Sequence, residues 1–599
     1  MEADGERAAP RGFLLAALGA SGAAVMCVEM TAVRALQPWF GSTTHVWTHV
    51  IAVVLAALAA GGYLGGLLAD RRPSTALLSW LLVAGGLLVA ATSPLVSPVA
   101  RLFLREGVDP AGLASLLARG SLGTTLLLFA PPLLVLGAVA PVGVRLLAAG
   151  GVGRAAGTVF AVSTAGSIAG TYLPTLLLVP RLGTRGTLLA AAGLLVLAGA
   201  AGLALFARPR RAGAAAAGLV LLAGIAAPAM SHPVILRPPP GDTSTLLAER
   251  ESPYQYLAVR DDRVPGEPVA RVLTINEGVH AFHSLRVEGR ALSGSRAHDD
   301  HALLPLLLDL APGQELRVAV VGFACGVNAA QWRHFWDGLY RLRVDGAELD
   351  PGVLDLGREY FGLTDSGPAV AAADGRPWLA SLPTDARYHA LVLDAFAQEL
   401  YVPFHLGTRE FFELCRRRLE PGGVLAMNVF AAEADAPNLR AIENTLAAVF
   451  GSCVRARQAD GENHLLLARN GTGPPDLARL DTVATLGRFG ERPEVAEWRA
   501  LLRNAADLPR DAVVVAARDD APVLTDDHAP LEWLTDRFLR DRERDTLASP
   551  AGDPVRALRG RQDRLLAGIA AGWILALGGA FAFLARRTGA PLGPQEPPG

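Results

Sequence analysis

The chain contains no lysine; all 55 of its Lys and Arg positions are arginine. GC-biased coding accounts for the substitution, yet it has chemical consequences. Schiff-base catalysis, pyridoxal phosphate attachment and a Walker-type phosphate lysine are excluded. Cysteine is scarce as well. Cys27, Cys325, Cys415 and Cys453 are far apart and form no CxxC pair, so neither a zinc site nor a disulfide framework is indicated. Excess charge is missing too: the formal net charge is -2, which gives no field favouring nucleic acid. The first residues include Glu2, Asp4 and Glu6, unlike the basic start of a secretory signal. The apolar segment that follows is too long for a signal core, and we read it as a retained first helix.

What is abundant is hydrophobicity. Apolar residues make up 51% of the chain, charged residues 19%, and the mean hydropathy is +0.32. The average covers two compositions. Before about residue 231 the chain is mostly Leu, Ala, Gly and Val, and from there to about residue 560 it has ordinary soluble composition. Apolar runs at 12–33, 46–69, 76–100, 121–148, 155–179, 186–207, 212–230 and 565–585 are each near the ~20 residues that span hydrocarbon. The spacing predicts a multi-pass membrane domain over 1–231 and a C-terminal transmembrane helix over 565–585. Dense small residues (Gly61 to Gly66, and Gly157 to Gly170) predict close helix contacts, and Pro131, Pro132 and Pro141 predict kinks. Glu29 and Arg34 end the first span, either as a functional buried acid or as a structural Glu–Arg pair at the interface.

After the linker Pro238–Pro240, the region opens with short strands at Tyr256 to Arg260 and Val272 to Asn276, strand–helix alternation follows from Arg317 to about Ala468, and 471–540 is polar and mixed. The stretch Val318 to Asp350 carries the most chemistry. An apolar strand enters the turn Gly322-Phe-Ala324-Cys-Gly326, a helix follows, and about 20 residues later a second strand ends in Glu348. Glycines let backbone approach a ligand, and a carboxylate there accepts hydrogen bonds from both hydroxyls of a ribose. The expected fold is therefore an α-helical transmembrane bundle plus a doubly wound α/β Rossmann-like domain. Asp394 ends the apolar strand Ala390 to Leu393, where acids face the ligand crevice of such sheets, although an acid there also serves as a helix cap.

Taken in order, Ser252-Pro-Tyr254-Gln255, Asn276-Glu-Gly278, Val321-Gly322, Glu348-Leu-Asp350-Pro351, Asp374, Asp394-Ala-Phe396, Val402-Pro403-Phe-His405-Leu406, Thr408-Arg-Glu410-Phe411-Phe412 and Pro421-Gly-Gly423 resemble the spermidine synthase (polyamine aminopropyltransferase) family. With Ser21-Gly22, Glu29, Arg34, Gly41-Ser-Thr-Thr44, Gly62 to Arg71 and Leu136 to Pro141, nearly the whole chain resembles the membrane-fused major-facilitator/spermidine-synthase type. The resemblance implies an α/β Rossmann-like domain of the methyltransferase type over 311–545, preceded by a small β-rich substrate subdomain over 241–310, and transfer of an aminopropyl group from decarboxylated S-adenosylmethionine to an amine, with methylthioadenosine leaving. That donor, or S-adenosylmethionine itself, is a co-substrate, and no tightly bound cofactor or metal is expected. The implied roles place Glu348 on the ribose, Asp374 on the adenine, Gln255 on the donor's tail, Gly322 and Gly326 in the turn, and Asp394 as general base.

This sequence departs from the family where diamines are bound. The position three after Asp394 is Ala397, the glycine-turn acid is replaced by Cys325, and Ala297-His-Asp-Asp-His301 replaces an acidic and aromatic pattern. Asp299, Asp300 or Glu399 are the candidate replacements. His405 and His301 are further candidate bases, with structural hydrogen bonding as the plainer reading. Asp526-Asp527-His528 is read as a loop near the site, because three adjacent side chains do not converge on one ion. Two alternatives stay open: an S-adenosylmethionine-dependent methyltransferase, and a non-catalytic polyamine- or nucleoside-sensing or transport protein. Expected partners are a nucleoside donor, an amine acceptor and the lipid bilayer of the cell membrane, with a homodimer left open and no nucleic acid. Arg71, Arg72, Arg145, Arg154, Arg208, Arg210 and Arg211 share one side if the first span starts inside. That count puts the soluble domain outside, whereas supply of a nucleoside donor puts it in the cytoplasm, the side we adopt.

Overall fold

The computed structural model describes residues 9–586 apart from 42, 72, 105–113, 208–211, 232–242, 277–281, 365–367, 398–399, 432, 459–461 and 550–551. The Pro238–Pro240 linker, Ser42, Glu277, Gly278, Glu399, Arg72, Arg208, Arg210 and Arg211 lie outside the described residues. The chain divides into two compact units, one of 1–110, 115–237 and 549–599, the other of 111–114 and 238–548.

The first unit is helical. Among the described residues, six helical runs are long and apolar enough to cross a membrane: Arg11–Phe40, Thr44–Arg71, Thr75–Phe103, Ala130–Gly150, Val152–Phe206 and Asp553–Phe583. Val152–Phe206 encloses two of the expected spans, and Gly183 (φ 68, ψ 175) breaks the helix between them. The single span expected at 121–148 is interrupted at Phe129 and Ala138, close to Pro131, Pro132 and Pro141. The segment expected at 212–230 is helical over Ala212–Ser231.

Glycines set the spacing between these helices. A Cβ on Gly166 would lie 2.1 Å from the carbonyl oxygen of Gly19, and one on Gly170 would lie 2.0 Å from that of Ala23. On the neighbouring pair, a Cβ on Gly61 would lie 2.0 Å from the carbonyl oxygen of Leu134. Backbone therefore rests on backbone, and no larger side chain fits without moving a helix. Large apolar side chains point outward instead, among them Phe160 (75% exposed), Leu176 (70%) and Leu575 (74%). In water such a surface would be costly, at about 25 cal/mol per Å² of apolar area.

The second unit holds two sheets. Strands β1 (Ser244–Glu251), β2 (Tyr256–Asp262), β3 (Ala270–Ile275) and β4 (Ser284–Val287) form an antiparallel sheet in that order. The larger sheet contains β5 (Glu315–Val321), β6 (Arg341–Glu348), β7 (Ala369–Ala372), β8 (Tyr388–Leu393), β9 (Leu419–Phe430), β10 (Ser452–Arg457), β11 (Asn463–Arg469) and β12 (Ala512–Ala516). Its order is β12-β10-β11-β9-β8-β5-β6-β7, parallel from β9 to β7 and antiparallel beyond. The central strands read as unbroken apolar runs because both faces are covered. Leu391, Leu393 and Met427 pack into one core with Phe411, Phe412 and Ile442, while Val318, Val392 and Ala426 pack into another with Trp332, Phe335 and Trp336. The chain order reverses at β5, whose neighbours are β6 and β8. A crevice opens at such a switch point, at the carboxyl ends of the strands.

Gly170→Leu should force Ala23 and its helix away and lower the unfolding midpoint of the detergent-solubilised protein by several degrees, for an overpacking cost of roughly 1–3 kcal/mol. Gly157→Leu is the control, since nothing lies within 4 Å of its added Cβ. Equal losses in the two thermal melts would contradict the close-packing argument.

Candidate active site

The turn after β5 is built from left-handed backbone. Gly322 (φ 86), Ala324 (φ 47) and Gly326 (φ 78) all adopt it, and Gly326 precedes the helix Val327–Trp336. Gly322 has a second reason to lack a side chain: a Cβ there would lie 2.3 Å from the carbonyl oxygen of Asp394. Ala324 pays a conformational cost of order 1 kcal/mol for this geometry. Its N–H is held by Glu348 Oε2 at 2.9 Å, while the Asp350 N–H donates to Glu348 Oε1 at 3.0 Å. Glu348 thus stands at the end of β6 with its carboxylate fixed beside the turn. Burial pushes its pKa upward against the opposing pull of those two N–H groups. Cys325 faces the other way. It is buried among Leu257, Val353, Leu356 and Phe361, and burial raises its thiol well above the ordinary value, so it is a packing residue rather than a nucleophile.

Asp394 follows β8 directly, and its N–H donates to the Val321 carbonyl at 2.9 Å. Asn428, on β9, donates Nδ2 to Asp394 Oδ1 at 3.1 Å. The other carboxylate oxygen lies 3.9 Å from Nδ1 of His301. His301 is fully buried, and burial depresses its pKa, so it is neutral near pH 7. Asn328, in the first turn of the helix after the glycine turn, lies 3.2 Å from the same His301 nitrogen. The crevice therefore brings Gly322, Glu348 and Asp394 together at the ends of three adjacent strands, β6, β5 and β8. Asn428 escapes sequence reasoning, although one polar residue inside the apolar run Val424 to Phe430 was a signal for it.

The remaining predicted residues have partners of their own. Gln255 donates Nε2 to Asp350 Oδ2 at 3.1 Å, and Ser252 Oγ donates to the same oxygen at 2.6 Å. Asp350 also caps the helix Pro351–Leu356 through the Gly352 N–H, so the Ser252–Gln255 turn is moored beside Glu348. Asp374 caps Gly375–Ser381 and lies 3.2 Å from His405 Nε2. Two residues on, Arg376 forms a bidentate pair with Asp526 at 2.7 and 2.6 Å, which Thr408 Oγ1 joins at 2.8 Å. That pairing holds Asp526 below the usual carboxylate range.

Asp299 and Asp300 are not available to a ligand. Asp299 is 1% exposed and accepts from the Ser293 N–H and hydroxyl, the Gly294 N–H and Gln331 Nε2. Asp300 is fully buried against Arg296 at 2.7 Å, and desolvation pushes its pKa up to about 7 despite that partner. The expectation that they replace missing diamine-binding carboxylates is therefore corrected: both are consumed in holding the loop 293–300.

No family model matches the chain. It is similar to a probable polyamine aminopropyl transferase of Bifidobacterium longum, at 28% identity over 304 residues, covering 49% of this chain and 62% of that protein. A polyamine aminopropyltransferase of Nitrosomonas europaea is 27% identical over 223 residues, covering 35% and 60%. The chain thus spans about 60% of the length of these relatives. Among solved structures, a probable spermidine synthase from Corynebacterium glutamicum matches with 21% identity and a TM-score of 0.33, over 46% of this chain and 98% of that one. The spermidine synthase from Thermotoga maritima matches with 16% identity and a TM-score of 0.33, over 44% and 84%.

Two outcomes follow from this geometry. Gly322→Ala should cost roughly 1–3 kcal/mol of stability through strained φ and the Asp394 contact, read as a drop in unfolding midpoint. Asp300 has a folded pKa of about 7 against an ordinary 3.8, so the folded state holds a proton that the unfolded state releases between those values. Its contribution to stability is complete below 3.8 and is lost as pH rises through about 7. Asp300→Asn should flatten that part of the stability–pH curve; an unchanged slope in denaturant melts would rule this out.

Proposed function

We propose that the chain is an integral-membrane aminopropyltransferase of the spermidine synthase type, which moves an aminopropyl group from decarboxylated S-adenosylmethionine to an amine. The observation that carries it is the juxtaposition of Asp394, fixed by Asn428, with the Gly322 turn and Glu348 at one switch point. The similarity to polyamine aminopropyltransferases supports the same chemistry. In this reading 1–231 and 565–585 are membrane-spanning, supported by the long apolar helices and their outward-facing apolar side chains. The subdomain 241–310 and the Rossmann-like domain 311–545 carry the reaction. That domain faces the cytoplasm, where a nucleoside donor is supplied.

The residues present suit such a donor. Glu348 retains lone pairs for ribose hydroxyls beyond the two it gives to backbone N–H groups. The bare backbone at Gly322 and Gly326 lets the nucleoside approach closely, Asp374 stands at the end of β7 for the adenine, and Gln255 flanks the donor's tail. Asp394 attracts the cationic amine and accepts its proton. The freed nitrogen lone pair forms a bond to the aminopropyl carbon next to the sulfonium. The carbon–sulfur bond breaks with its electrons going to sulfur, and neutral methylthioadenosine leaves. Asn428 keeps Asp394 Oδ1 in place, so the other oxygen, Oδ2, faces the amine.

The purified full-length protein, given decarboxylated S-adenosylmethionine and a panel of amines, should release methylthioadenosine together with an aminopropylated amine. Asp394→Asn should lower turnover at least ~100-fold, the low end for a lost general base. Mass spectrometry that finds S-adenosylhomocysteine from S-adenosylmethionine instead would make the protein a methyltransferase, and nucleoside binding without product would make it a sensor.

A further inference from the structure

The crevice beside Asp394 raises a question of charge: how many cationic nitrogens can the acceptor carry? An ammonium group taken out of water needs a carboxylate and a full set of acceptors, and one left unpaired is strongly disfavoured. An α,ω-diamine brings two such groups. At the end of β8, Asp394 Oδ2 accepts no hydrogen bond among the described residues, and His301 Nδ1 stands 3.9 Å from it. Asp299 and Asp300 are internal and fully engaged. Glu348 holds the backbone N–H groups of the turn and of Asp350, and in the transferase reading its remaining lone pairs go to the ribose hydroxyls. Asp374 caps its own helix and meets His405. Past Asp394, the exposed residue Ala397 has its N–H bonded to the Tyr401 carbonyl at 2.7 Å and adds only a methyl group to the loop.

Beside that single charge stands a neutral acceptor. Asn428 is 6% exposed and must turn its Nδ2 toward the Asp394 carboxylate. Its Oδ1 is consequently left buried and without a hydrogen-bond partner. A buried amide oxygen of this kind costs free energy unless a donor reaches it. The imidazole on the other side, His301, is neutral, and the titratable groups facing it are Asp394, His298 and Asp299. It adds no second charge.

We propose that the acceptor subsite takes an amine with one cationic nitrogen and an uncharged remainder, so that monoamines are preferred to α,ω-diamines. The Asp394 carboxylate neutralises the nitrogen and the Asn428 amide oxygen accepts one of its N–H groups. The location of the subsite rests on the transferase reading, but its charge preference is measurable without turnover.

The test is calorimetric titration of the full-length protein, saturated with methylthioadenosine, using n-butylamine and 1,4-diaminobutane as length-matched probes. Butylamine should bind at least ~10-fold more tightly, a modest figure for one unpaired ammonium. Ala397→Asp, at an exposed position, should reverse the preference by adding a second carboxylate. Equal or tighter binding of the diamine to the unaltered protein overturns the proposal, and so does failure of butylamine to bind. If Glu399→Gln then removes a diamine preference, Glu399 is the second carboxylate. Preferential binding of butylamine with no aminopropylated product supports the subsite and counts against the transferase reading alone.

Discussion

The ends of β5 and β8 meet backbone to backbone, and the site depends on that contact. The Asp394 N–H reaches the Val321 carbonyl, and the Asp394 carbonyl lies where a Cβ on Gly322 would be. One glycine therefore does two things: it turns the chain out of β5, and it lets the Asp394 loop close over the turn. Glu348 then locks the turn from the far side by holding the Ala324 N–H in a conformation that alanine rarely adopts. A local backbone cost is thereby offset by a charge-assisted hydrogen bond, and Glu348 and Asp394 stand on opposite flanks of one crevice.

The same economy of spacing recurs in the helical unit. There too glycine allows backbone to rest on backbone, at Gly19 with Gly166 and Ala23 with Gly170. For a helical surface of this kind set in lipid, burial of apolar side chains would not draw the helices together, and close approach and dispersion would do so. The second unit uses the opposite strategy, with large side chains such as Trp332, Trp336, Phe411 and Phe412 filling the layers between sheet and helices.

Much of this was legible in the sequence, for local reasons. Apolar runs without alternation announce central parallel strands, a Gly-x-Ala-x-Gly turn announces backbone approach, and acids at strand ends announce a crevice. Glu348 and Asp394 were singled out that way. Pro131, Pro132 and Pro141 marked the helix breaks near them, and the gap between the runs 155–179 and 186–207, which holds Pro180, marked the break at Gly183. What could not be read is long-range pairing. Nothing in Ala297-His-Asp-Asp-His301 says that both acids turn inward to Ser293, Gln331, Arg296 and Gln458, since those partners lie up to 158 residues away. The Asn428–Asp394 bond spans 34 residues and two strands, and the mooring of Gln255 on Asp350 spans 95. Such contacts follow from the sheet order, which composition and periodicity do not specify.

The measurement to make is the affinity of the full-length protein for methylthioadenosine, with and without Glu348→Gln, alongside Asp394→Asn. If a nucleoside sits at the switch point with its ribose on Glu348, the first change should weaken binding roughly 10- to 100-fold, the worth of a charge-assisted hydrogen bond, and the second should leave it nearly intact. Undiminished binding by Glu348→Gln, in a protein that remains folded, would place the nucleoside elsewhere and remove the basis for assigning Asp394 to the reaction.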